Sequence, residues 1–310
     1  MVYQFKLAVV GAVLVLARWA GAEVPQYRFV PGQELSYRID WTIRYSAPDR
    51  SALHDDYADA VARVVRKNGD GSYRMLIRWK ETSAKTANGA QTFSGPWSDV
   101  FCLDVFPDGR ELQTRDRGLG TMPGMLFPPL PRNDQELRNG WTAKLQDFTY
   151  ACTADAGKSE YQFRGTIDAP VMQRLHDSRS TRYSFDNARG LVSNSVDTFV
   201  RDNNPNGAGT GTTQLVAVKV IPDAELARLT KDMDTYSAAS EAYNQRMKHA
   251  GELDTERARD VAHQAETEFK AAVEKIADGD LKAAGDRVLA RHSERLESVL
   301  ASISRGATRH

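Results

Sequence analysis

Among side chains that could do chemistry, Asp202-Asn203-Asn204-Pro205-Asn206-Gly207 has the most ligand-like spacing. It fits the first half of a calcium loop, with oxygen side chains at alternate positions and a glycine at the turn. The second half departs from the pattern. The twelfth position is Thr213 where a bidentate glutamate should stand, and Pro205 stiffens the loop. A long hairpin loop between Val200 and Leu215 accounts for the segment better, and no metal is expected. Gly207-Ala208-Gly209-Thr210-Gly211 follows at once. Bare backbone of that kind can cradle a phosphate, but no lysine and no helix start come after it, and Thr212-Thr213-Gln214-Leu215 reads as strand.

Nucleophilic chemistry is equally short of parts. Neither a G-x-S-x-G elbow nor an H-E-x-x-H helix occurs. A dispersed Ser-His-Asp arrangement in the first two thirds of the chain would have to use His54 near Asp56, or His176 beside Asp177. Further on, His249, His263, His292 and His310 are scattered, and His263 with Glu266 has the i, i+3 spacing of a di-iron carboxylate helix without a second such pair. No cofactor is expected, and an extracytoplasmic hydrolase is the least favoured function.

The cysteines depend on the compartment. Lys6, the apolar run Leu7–Ala17 and Ala20-Gly21-Ala22 form a signal peptide with cleavage expected before Glu23, since eleven apolar residues are too few to span a bilayer. The mature chain is therefore expected to be extracytoplasmic, periplasmic or secreted, with no membrane span. There Cys102 and Cys152 are expected to form a disulfide, two separate buried thiols being the alternative. Fifty residues apart, they are not a redox C-x-x-C. The whole chain carries 41 basic and 41 acidic side chains, and cleavage removes Lys6 and Arg18 but no acid. Nothing in that balance favours nucleic acid.

The elements that must position these residues divide at Pro222, the last of the 12 prolines, and all 5 tryptophans precede Thr142. Residues 23–222 read as an antiparallel β domain. Leu35, Tyr37, Ile39, Trp41, Ile43 and Tyr45 alternate with polar neighbours, and the pattern recurs at Tyr73, Met75, Ile77 and Trp79 against Arg74, Arg78 and Lys80, which is the period of a sheet with one buried and one wet face. Asn68-Gly69-Asp70-Gly71, Pro107-Asp108-Gly109 and Asn187-Ala188-Arg189-Gly190 read as turns. Further strands are expected over Trp141–Cys152, Ser159–Ile167 and Thr213–Ile221. About nine strands with aromatic inward faces suggest a bent sheet, a half-barrel or open sandwich.

Between them, residues 118–131 are apolar yet too rich in glycine and proline to pair as a strand. Met125, Leu126, Phe127 and Leu130 must cover something, either the open end of the sheet as a plug or a ligand as a lid. Trp41, Trp79, Met125 and Phe127 are the residues that an apolar ligand would meet.

The opening Tyr27-Arg28-Phe29-Val30-Pro31-Gly32-Gln33-Glu34-Leu35-Ser36-Tyr37, the loop Phe127-Pro128-Pro129-Leu130-Pro131 and Asn139-Gly140-Trp141 resemble uncharacterised secreted β-sheet proteins of planctomycete-type bacteria. The likeness covers residues 27–221. It implies an extracytoplasmic sheet domain and no assigned chemistry.

Residues 223–310 read as a heptad-patterned, three-helix extension, so the fold class is α+β. Leu226, Leu229, Met233, Tyr236, Tyr243 and Met247 form an apolar seam on the first helix, with Gly251 at its end. Asp254 caps a second helix carrying Val261, Ala265, Phe269 and Ile276, and a third runs from Asp280 to about Ser304. Such narrow stripes must be buried, either in antiparallel packing within the chain or in a coiled coil with a partner or second copy. The reading as a whole is an exported non-enzymatic protein acting by binding or assembly through the helical extension, the alternative being a carrier of a lipid-like ligand in the half-barrel.

Overall fold

The computed structural model describes residues 24–47, 50–87, 90–113, 126–145, 148–156, 160–168, 177–201 and 207–307. The expected signal peptide, Met125, His176, Asp202–Asn206 and His310 lie outside them, and the His54 side chain is likewise not described.

Among the described residues, eleven strands form one open antiparallel sheet: β1 (Gln33–Ala47), β2 (Arg50–Lys67), β3 (Tyr73–Ala87), β4 (Ala90–Val105), β5 (Glu111–Gln113), β6 (Trp141–Leu145), β7 (Phe148–Ala156), β8 (Glu160–Asp168), β9 (Asp177–Asp186), β10 (Leu191–Arg201) and β11 (Gly207–Val220). Their order is β5-β4-β3-β2-β1-β11-β10-β9-β8-β7-β6, two meanders joined where the first and last strands pair. The short helix α1 (Asp134–Asn139) precedes β6, and the chain ends in α2 (Asp223–Ala250), α3 (Thr255–Val273), α4 (Gly279–Ala290) and α5 (His292–Ala307). The α+β class and the open, bent sheet are thus as expected.

The bend can be argued from two hydrogen bonds. Tyr27 N–H donates to Pro107 O at 2.8 Å and Arg28 N–H to Gly190 O at 3.0 Å, so adjacent residues reach the turns after β4 and before β10. In a flat sheet, β4 and β9 would stand roughly 29 Å apart at about 4.8 Å per strand. The sheet must curl around this segment. Phe127 then meets Tyr27, Phe29 and Tyr37 edge-on at 5.3–6.2 Å, while Tyr27 Oη donates to Pro128 O and Tyr183 Oη to Pro129 O. Leu126, Phe127 and Leu130 are buried, so this part of the proline-rich loop plugs one end of the curl.

The inner face carries Leu35, Tyr37, Ala60, Val64, Met75, Ile77, Phe101, Leu103, Phe163 and Phe185 in one core. Over β2–β4 the outer face is not wet. It forms a second core in which Val65, Leu76, Val100 and Cys102 join the apolar stripes of α2, α3 and α4. Charges on that face are matched across the layers: Arg63 with Asp278 at 3.2 Å, Arg66 with Asp234 at 2.6 Å, and Asp99 with Arg287 at 2.7 Å. Arg74 binds Asp104 through two hydrogen bonds, at 2.9 and 2.8 Å. Buried Asp232 accepts the N–H groups of Ala277 and Asp278, fixing the α3–α4 turn, and Asp278 caps α4.

Three further expectations are corrected. Trp141–Cys152 is a hairpin, not one strand, because the chain folds back so that Trp141 pairs with Cys152. The third helix breaks at Arg291 (φ −95°, ψ 3°), which seats buried His292 against Tyr243, 2.9 Å from its hydroxyl, so four helices instead of three follow Pro222 among the described residues. Cys102 and Cys152 are both buried and form no disulfide. Cys102 lies in the helix-side core and Cys152 in the inner core, on strands separated by seven others, so the two thiols stand on opposite faces of the sheet.

Candidate functional site

The strand pairing fails at one place inside the sheet. β10 pairs with β11 from Asn194 opposite Gln214 to Val200 opposite Ala208 and no further. Below that point β10 stays with β9, while Leu215–Val220 of β11 stays with β1. The cause is local. β10 has a bulge at Ser193 and β11 one at Val216, and bulges bend the strands that carry them. The β9–β10 turn is also drawn away, since Gly190 (φ 65°) receives the Arg28 N–H and a Cβ there would overlap the Arg28 side chain.

The parted strands leave a cavity of about 450 Å³ lined by Gln33, Arg189, Leu191, Leu215, Val216, Ala217 and Val218. Leu191 is 1% exposed and belongs to the inner core, and Leu215 packs against that core, so the cleft borders the aromatic interior. Val216 and Val218 are 49% and 42% exposed. Arg189 at the rim lies 3.5 Å from Asp186, whose carboxylate also accepts the N–H groups of Ala188 and Arg189. The site is an apolar slot with a cation at its edge. Sequence reasoning missed it, although Leu215-Val216 breaks the strict alternation of β11 and three valines at 216, 218 and 220 put more apolar surface there than one buried face requires.

Trp41, Trp79 and Phe127 share the inner face, with Phe127 fully buried and the Trp79 indole N–H donating to Glu81 at 3.2 Å. Trp41 is partly buried and lies over Gly211, directly across the β1–β11 pair. The glycine segment is thus strand, and Gly207, Gly209 and Gly211 stand opposite Tyr45, Ile43 and Trp41. A Cβ on Gly211 would come within 2.5–2.7 Å of the indole. Gly211→Val is expected to push Trp41 off the sheet at a cost of about 1–3 kcal/mol, visible as a red shift of its emission relative to a Trp41→Phe control.

Several polar groups in the inner core lack a hydrogen-bond partner among the described residues: Tyr37 Oη, Trp141 Nε1 and both carboxylate oxygens of Glu111. Burial raises the Tyr27 and Tyr37 hydroxyls well above the usual phenol range and pushes the Cys152 thiol up to about 12, which makes it a poor nucleophile. The histidines are also placed. His249 and His263 are exposed, and Glu266 stands 3.7 Å from both His263 and His292. Among the described residues no group of three or more side chains is arranged to hold a metal. The helical seam is internal, with Leu229, Met233, Tyr236, Tyr243 and Met247 each 1–3% exposed and Leu226 partly buried against the same cluster. No helix among the described residues is long and apolar enough to cross a membrane.

No protein-family model matches the sequence, and a search of curated proteins finds no match. Among solved structures the chain is similar to lipovitellin, from a structure of its lipid–protein interactions, at 10% identity and a TM-score of 0.41 over 83% of this chain. The chain spans only 36% of the lipovitellin chain's length. A DUF1329 family protein from Desulfovibrio piger is similar at 7% identity and a TM-score of 0.22, over 64% of this chain and 90% of that one. DynF from the dynemicin biosynthesis pathway of Micromonospora chersina gives 7% identity and a TM-score of 0.18, over 66% and 89%. These likenesses assign no family and no activity. Two of these neighbours are bacterial, and they do not show the resemblance to planctomycete proteins.

Proposed function

We propose that this chain is an exported, non-enzymatic carrier that takes one apolar chain, of the acyl or isoprenoid class, into the cleft between β10 and β11 and against the inner face of its sheet. The observation that carries this reading is the cleft of about 450 Å³, whose wall residues Leu191 and Leu215 border the aromatic core. That volume lies within the roughly 300–1,000 Å³ usual for small-molecule sites. The C-terminal helices support the reading by their position, because they pack on the outer face over β2–β4 and not on the inner one. Covering half-exposed Val216 and Val218 would add apolar burial at about 25 cal/mol per Å², and Arg189 suits an acidic head group.

The test is native mass spectrometry and solvent extraction of protein purified from its own host, followed by titration with the fluorescent fatty acid cis-parinaric acid. A bound apolar molecule and at least tenfold weaker binding by Val216→Glu are expected. Ligand-free protein that also fails to bind the probe rejects the carrier. A second reading has its own observation: Leu215–Val220 has no ladder partner on the β10 side, so an extended peptide could add there as a strand. A peptide recovered in place of a lipid would favour it. Docking through the helical seam is a weaker form of the interaction reading, because a partner would first have to displace the seam's contacts within the chain.

A further inference from the structure

The C-terminal helices pack on β2 and β4, and the outer face of β6–β9 carries exposed residues. Here a trough of about 620 Å³ is walled by Arg164 and Arg182, with Thr142, Ala151, Thr153 and Ser180 along it. All six are exposed, on the face opposite buried Cys152, Phe163 and Tyr183. Arg164 and Arg182 are direct cross-strand partners on β8 and β9. Like charges in that position destabilise a sheet unless something lies between them.

Over β2–β4, under the helices, this chain matches its arginines with acids: Arg63 with Glu34 and Asp278, Arg66 with Asp234, Arg74 with Asp104. The trough differs. Asp155 stands 3.4 Å from Arg164, and no carboxylate pairs with Arg182 among the described residues. Two guanidiniums facing one carboxylate leave an uncompensated cation, and guanidinium forks match tetrahedral oxyanions in geometry as well as charge. Thr142 and Thr153 add hydroxyl donors beside them, as does Ser180, which also bonds Thr198 at 2.7 Å.

We propose that this trough binds a phosphate group between Arg164 and Arg182. The inference is independent of the carrier reading, since it uses the opposite face. The phosphate could belong to a small soluble ester or to a lipid head group, and the experiment separates the two. The full mature chain is titrated calorimetrically with inorganic phosphate and pyrophosphate, and cosedimented with phosphatidylglycerol–phosphatidylcholine vesicles against phosphatidylcholine alone. Binding is expected to weaken roughly tenfold in R182Q and to vanish in R164Q/R182Q, each of which removes charge-assisted hydrogen bonds to the anion from exposed positions and, by relieving the cross-strand repulsion, should not lower the thermal midpoint of the free protein. Binding of the soluble anions assigns a soluble ester, and binding only of the anionic vesicles assigns a head group. Equal binding by wild type and the double variant, or no binding of any of the three probes, overturns the proposal.

Discussion

At pH 8, Glu111→Gln is expected to be more stable than wild type by about 4 kcal/mol, and at pH 5 by only about 1 kcal/mol. Glu111 stands on edge strand β5 directly across from Val105, which is fully buried in the inner core. Some of the residue stays accessible, but both carboxylate oxygens are buried and have no hydrogen-bond partner among the described residues. Burial therefore raises its pKa from 4.5 to about 8. With the folded value above the unfolded one, the native state holds the proton more tightly. The stability that this provides is complete below about pH 4.5 and is lost as pH rises to 8. Glutamine keeps the shape and has no proton to lose, so the variant's stability should lack this slope. Urea unfolding of both proteins at the two pH values measures it, and parallel pH profiles would show that the carboxylate is solvated or paired in solution.

Glu111 also shows where sequence reading stops. Nothing in Arg110-Glu111-Leu112 marks the glutamate as inward, because a three-residue edge strand is too short to display a period. The long strands were different: Leu35 to Trp41 declared their buried face by strict alternation, and β1 follows it, while in β3 Leu76 interrupts the period of Met75, Ile77 and Trp79 and is buried on the helix side. The heptad seam of α2 was equally readable, from Leu229 to Met247. The identity of the surface it meets was not. Arg63, Arg74 and Arg78 read as a wet face, and only the acids of distant helices and strands show that this face is covered. Long-range charge matching leaves no local pattern in a sequence. The candidate cleft was hidden for a related reason, since it arises from two bulges, at Ser193 and Val216, that come into register only once the sheet has formed.

Tyr236→Ala should lower the stability of the whole protein by about 3–5 kcal/mol, whereas Tyr236→Phe should be neutral or slightly stabilising. Tyr236 is 1% exposed, meets Phe269 of α3 edge-on at 6.0 Å, and belongs to the cluster that joins α2 to Leu76, Val100 and Cys102 of the sheet. Truncation leaves a cavity where helix and sheet share a core, while phenylalanine removes only a buried hydroxyl with no hydrogen-bond partner among the described residues. Because that core is shared, the loss should appear in one unfolding transition, with helix signal by circular dichroism and tryptophan emission from the sheet moving together. Two separated transitions, the helices melting first, would mean that the helical layer is a detachable module and would return its seam to the list of surfaces able to meet a partner. A single transition ties the seam to stability and leaves recognition to surfaces such as the cleft and the arginine trough, where the described part of the sheet is open.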